Sequence, residues 1–127
     1  MYINLQDLIS LIPMQELINL TNDTAPAEEI NEKRVQEAIC YAQELINAYL
    51  RNKYVLPLKI IPSVIKNIAV DIASYRLYSR RPRKLPEHIQ DSFDAAIKLL
   101  GLIQKEQMIL DLPQEHMGQE VTKPARM

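Results

Sequence analysis

The chain has 127 residues, a formal net charge of −1, one cysteine and two glycines. That length suits one domain with a real core, the lone cysteine excludes an internal disulfide and fits a reducing compartment, and so few glycines leave little material for phosphate-cradling loops. No apolar run approaches the ~20 residues that span a bilayer, and the opening MYINLQDL carries an acid and no base, unlike a signal peptide.

The small net charge hides an asymmetry. Residues 1–32 carry six acids and no base, residues 33–84 eleven bases against three acids, and residues 85–127 seven acids against four bases. The molecule as a whole is not basic, so the split points first to one part of the chain pairing with another, in the same subunit or a neighbour. Contact with nucleic acid comes second.

In chain order, Asn4 is a good N-cap with Asp7 three residues on, a near relative of the capping box. Leu5, Leu8, Ile9 and Ile12 form its short helical face. Pro13 breaks this helix and suits the first turn of another, with Met14, Leu17, Ile18 and Leu20. The pair reads as a small helical hairpin or bent helix, followed by a polar loop at residues 21–27 (TNDTAPA). A long helix is expected from about Asn31 to about Lys53, with a stripe of Val35, Ile39, Ala42, Ile46, Tyr49 and Leu50. Pro57 and Pro62 exclude ordinary helix from residues 54–61 (YVLPLKII). A connector this apolar is expected to be buried, under the domain's own helices or against a neighbour.

Residues 62–81 then read as the central helix. Ile61, Ile65, Ile68, Ala69, Ile72 and Tyr75 recur at three- and four-residue steps, and the helix ends in positive charge. A stiff basic loop follows at residues 80–86 (RRPRKLP). Pro86 and Glu87 start the last helix, whose face is Ile89, Phe93, Ala96, Ile97, Leu100 and Ile103. Gly101 interrupts it at a cost of about 1 kcal/mol against alanine, marking either close packing or the weakening end of the helix. Residues 108–112 suit a short extended segment. Residues 113–127 are polar and aperiodic and read as a flexible tail. The expected fold is all-α: a small bundle with a short N-terminal hairpin and three longer helices in a domain at 1–112, then the tail at 113–127.

Catalytic chemistry finds no constellation. Cys40 lies beside an apolar stripe and reads as structural. His88, on a polar helix side, and His116, in the tail, have no partners at metal-ligand spacing. The expectation is no enzyme, no cofactor and no metal. Asp71 lies one helical turn from both Ile68 and Tyr75, so it is expected to face protein. A half-buried carboxylate needs partners, and Tyr75 and Arg34 are the expected ones, making the three a structural anchor whose loss lowers stability. The interface candidates are Tyr54, Leu56, Leu58 and Ile60 in the apolar connector, with Arg76, Arg80, Arg81, Arg83 and Lys84 at the basic helix end. Cations there are favoured by the helix dipole and are also able to meet phosphates. Tyr75 and Tyr78 read as packing residues ahead of base-stacking ones.

Three stretches in this order carry a resemblance. They are Met1, Tyr2, Asp7 and Leu8; then Tyr49, Leu50, Lys53, Tyr54, Leu56, Pro57 and Leu58; then Pro62, Ile65, Asp71, Ile72, Ala73, Tyr75, Arg76, Leu77 and Tyr78. Their order and spacing resemble a family of small Mu-like phage and prophage virion proteins, and the plan is similar to the head–tail connector (adaptor, head-completion) proteins of tailed phages. The resemblance covers roughly residues 1–112; the basic loop and the longer tail depart from it. It implies a non-catalytic subunit of a homo-oligomeric ring beneath the portal, assembled in the bacterial cytoplasm and destined for the virion. The implied partners are the portal, tail-completion proteins and DNA passing through the channel without sequence-specific contact, with no membrane. The rival expectations are a small nucleic-acid-binding helical module using residues 76–84 and, third, a dimeric antitoxin-like regulator.

Overall fold

The computed structural model describes residues 1–23, 27–80, 82 and 84–112. The expected flexible tail at 113–127 lies outside the described residues. Five helices follow one another: α1 (Leu5–Ile9), α2 (Met14–Thr21), α3 (Glu32–Leu50), α4 (Ser63–Ser79) and α5 (Glu87–Gln104). The all-α bundle with a short leading pair and three longer helices is the observed one. Of residues 108–112, expected to form a short extended segment, Met108, Asp111 and Leu112 are bends and Ile109 and Leu110 have no regular structure.

Local chemistry sets the helix ends. Asn4 and Asp7 complete a reciprocal capping box: the Asn4 Oδ1 accepts from the Asp7 backbone N–H at 3.1 Å, and the Asp7 Oδ2 accepts from the Asn4 N–H at 2.8 Å. Asn31 caps α3 through its side-chain oxygen, which accepts from Arg34 N–H. Proline precedes α2, α4 and α5, where a missing N–H costs nothing. α3 stops three residues short of the expected Lys53, because Asn52 turns to a φ of 70°, a left-handed conformation that asparagine tolerates. α5 ends in a Schellman-type turn, with Gln107 N–H on the Leu102 carbonyl and Glu106 N–H on that of Ile103.

α4 packs against each of the other four helices, most extensively against α3. This is why its buried residues spread around it: Ile65, Ile68, Ala69, Ile72, Ala73, Ser74 and Leu77. Ala38 near the start of α3 and Leu77 near the end of α4 line one cleft, so the two helices run antiparallel. Small buried residues, Ala38 and Ala42 in α3 and Ala69 and Ala73 in α4, let the backbones approach. Ile39, Ile46, Leu50, Ile65, Ile68, Ile72 and Leu100 fill the core at under 2% exposure; each contributes about 1.5–3 kcal/mol by leaving water.

Two tyrosines hold the irregular segments. The Tyr54 N–H still reaches the Leu50 carbonyl at the end of α3, but residues 55–61 have no helix to satisfy their backbone, and a buried unpaired N–H is costly. The Tyr2 hydroxyl accepts from Leu58 N–H at 2.9 Å and donates to Asn47 Oδ1 at 2.6 Å, while Tyr2 N–H donates to Gln43 Oε1. The Tyr54 hydroxyl accepts from Leu110 N–H at 2.8 Å. The N-terminus, the connector and the segment after α5 are thereby fastened to one end of the bundle.

Two outcomes follow for stability. A Cβ built on Gly101 meets nothing within 4 Å, so the glycine is not needed for close packing, and Gly101→Ala raises the unfolding free energy by about 0.5–1 kcal/mol in urea titration. Tyr2→Phe keeps the ring but leaves the Leu58 N–H and Asn47 without the hydroxyl; it lowers stability by about 1–3 kcal/mol and speeds hydrogen exchange at the Leu58 amide.

Candidate interaction surfaces

The connector between α3 and α4 divides into inward and outward residues. Tyr54 and Leu58 are 4% and 8% exposed and belong to the subunit's own core; as interface candidates these two are corrected. Leu56 packs against that core half-buried. Ile60 remains a surface residue at 69% exposure, joined by Val55 at 49%. Met1 and Ile109, also exposed, are chain neighbours of Tyr2 and Leu110, which bond to Leu58 and Tyr54. Val55 and Ile60 thus stand in water on a connector whose inner side is pinned by the two tyrosine bonds.

The opposite end is charged. Asp23, just past α2, places its two oxygens on two arginines: Oδ2 accepts from Arg34 at 3.0 Å and Oδ1 from Arg80 at 2.7 Å. Arg80 also donates to the Leu20 carbonyl. Arg76 is exposed and lays its guanidinium over the Tyr41 ring, 4.5 Å from the centroid, a cation–π contact. Arg34, Arg76 and Arg80 line one open cleft of ≈ 470 Å³ between α3 and α4, with Glu37 beside them. Of the remaining basic candidates, Lys84 is exposed, while Arg81 and Arg83 lie outside the described residues.

The expected anchor of Asp71, Tyr75 and Arg34 does not form. Arg34 is held by Asp23. Tyr75 stacks on Phe93 of α5, with ring centroids 3.8 Å apart and planes 15° from parallel. Asp71 is half-buried with no hydrogen bond or ion pair among the described residues, and burial lifts its carboxyl from 3.8 to about 6. Tyr78 donates to Glu16 Oε2 at 2.9 Å; burial first, and then this carboxylate, push its hydroxyl up to about 12. Both tyrosines considered for base stacking are therefore engaged within the subunit. So is part of the acidic first third: Asp7 on Lys66, Glu16 on Tyr78, and Asp23 on two arginines. Sequence reasoning missed Asp23 and Tyr41. The six acids set before eleven bases were the signal for Asp23; nothing marked Tyr41, at i−35 from Arg76, as its platform.

Among the described residues no group of three His, Cys, Asp or Glu side chains could hold a metal ion, and no helix is long and apolar enough to cross a membrane. Cys40 is a half-buried free thiol and His88 is exposed. What the geometry offers is an all-helical bundle with two chemically different surfaces, one apolar and one charged. The chain belongs to the phage protein family described as "Bacteriophage Mu, Gp36", which it matches over residues 2–127. It is similar to the Mu-like prophage FluMu protein gp36 of Haemophilus influenzae (strain Rd), 42% identical over 55 residues; that stretch covers 43% of this chain and 39% of the relative.

Asp71 sets a pH dependence. Its carboxyl is protonated more readily in the folded than in the unfolded chain, so folding takes up a proton. The associated stability is complete below pH 4 and is lost as pH rises through about 6. Contrary to the anchor reading, Asp71→Asn is expected to melt higher than the parent at pH 8 and almost level with it at pH 4, as thermal unfolding across that range would reveal.

Proposed function

We propose that this chain is a structural virion protein: a head–tail connector (adaptor) subunit that assembles into a ring under the portal and helps join head to tail. The single observation that carries the reading beyond family membership is the exposed pair Val55 and Ile60 on a connector whose inner side is fixed by Tyr54 and Leu58. A pre-shaped apolar surface loses little conformational entropy when a neighbour covers it, which suits a subunit that exists to be packed against others. Phage-family membership supports the same assignment. The homo-oligomeric ring, the portal and tail-completion partners, passage of DNA through the channel, assembly in the bacterial cytoplasm, residence in the virion and the lack of catalysis all belong to this proposal.

The nucleic-acid-binding alternative relies on residues 76–84 and is less supported. Arg80 is committed to Asp23 and Leu20, and Tyr75 and Tyr78 to Phe93 and Glu16. DNA contact in this proposal is backbone-type and sequence-independent.

The test is complementation of a prophage lacking the gene. Val55→Asp and Ile60→Asp change exposed positions, so circular dichroism stays that of the parent while particles carrying both changes accumulate as heads unjoined to tails in electron micrographs. Normal joined particles with the doubly changed protein incorporated would refute the role of this surface. Joined particles in the complete absence of the protein would refute the connector assignment itself.

A further inference from the structure

From the charged end of the bundle we infer that the cleft between α3 and α4 is a carboxylate-binding surface, and that its occupant is the acidic turn at Glu28, Glu29 and Glu32 of a second copy of this chain. The cleft already handles this chemistry within the subunit. Arg34 and Arg80 each take one oxygen of Asp23 through a single N–H, so one carboxylate is shared between two guanidinium groups. Arg76 supplies a third guanidinium on the same cleft. Tyr41 holds its guanidinium in place, 4.5 Å from the ring centroid, and Arg76 has no hydrogen bond or ion pair among the described residues.

The charge around it selects the kind of anion. Glu37 lines the cleft and Asp23 pairs with two of its arginines, so three arginines stand against two carboxylates. Both acids repel any incoming anion, and the three arginines are left with little surplus positive charge after Glu37 and Asp23 are set against them. That surplus is small for a phosphodiester chain with a charge at every nucleotide and suits a short acidic protein segment centred on Arg76. Such a segment exists in the chain itself. Asn22 Nδ2 donates to the Glu29 carbonyl at 2.8 Å, and Asn31 N–H donates to Thr21 Oγ1 at 3.0 Å, so the turn before α3 is pinned at two points. Glu28, Glu29 and Glu32 project from it exposed, and none has a side-chain partner among the described residues. The turn makes no ion pair with its own cleft, which leaves both halves of the contact available to another copy. At 1.5 Å per residue the 19 residues of α3 separate this end from the apolar patch by about 28 Å, and the contact does not rest on the connector reading.

Sedimentation velocity at low and high salt tests it, using the full chain, Arg76→Glu, the pair Glu28→Lys with Glu29→Lys, and an equal mixture of the two variants. All these positions are exposed, so circular dichroism should be unchanged. The parent is expected to self-associate at low salt and dissociate at high salt. Each variant alone raises the dissociation constant by roughly fivefold or more, and the mixture regains association between unlike chains. The inference is overturned by a parent that stays monomeric at low salt throughout its soluble range. It is equally overturned by self-association indifferent to Arg76→Glu, by a mixture that regains nothing, or by a parent whose cleft binds duplex DNA through Arg76 in preference to another copy.

Discussion

The bundle depends on how two stretches of irregular backbone are allowed into its interior. The connector between α3 and α4 is too rich in proline to be helix and too apolar to stay in water, so burying it brings peptide groups away from solvent. The Tyr2 and Tyr54 hydroxyls solve this by meeting the Leu58 and Leu110 N–H groups. Their rings at the same time add to the core at 4% exposure each. A tyrosine serves here where phenylalanine would fill the same space, because the polar tip reaches backbone that no helix or sheet ladder can serve. Fixing the inward residues also shapes what faces out: Val55 is exposed next to buried Tyr54, and Ile60 is exposed two residues after buried Leu58.

Electrostatics distributes itself along the same axis. The acidic start and basic middle of the chain are partly spent on each other, through Asp7 with Lys66 and Asp23 with Arg34 and Arg80. These pairs are partly solvent-exposed, one partner in each more than the other, and each contributes only modestly to stability. Their effect is to orient α1 and α2 on α4 and to leave a particular residue, Arg76, without an anion. Asp71 is the opposite case, an acid partly removed from water with no cation brought to it. Ser74, 1% exposed with its hydroxyl unpaired among the described residues, adds a second cost within the same helix. A central helix touched from four sides cannot offer every polar side chain a partner.

Much of this fold was legible in the residues. The stripes of α3, α4 and α5 repeat at helical spacing, and Asn4 with Asp7 announces α1, because capping and amphipathicity are local. The alternation of fates in the connector was not legible: that Tyr54 and Leu58 turn inward while Ile60 turns out depends on where Tyr2 sits, 56 residues from Leu58. The partner of Arg34 was misread for a similar reason. Asp71 looked best by its apolar surroundings, yet which acid meets Arg34 is set by the antiparallel pairing of α3 and α4, which brings Arg80 beside Arg34 and Asp23 between them. Phe93 was legible as a core-facing residue but not as the ring that would claim Tyr75.

The tyrosine bonds have a consequence for synthesis. Tyr2 is made 56 residues before Leu58, and Tyr54 is made 56 residues before Leu110. Each hydroxyl therefore leaves the ribosome long before the amide it will meet. The capping box of α1 forms from neighbours as soon as they emerge, but the second of the two tyrosine bonds cannot form until the stretch beyond α5 is out. The nascent connector thus has Tyr2 waiting for it from the start, but holds Tyr54 without its Leu110 partner until late in translation.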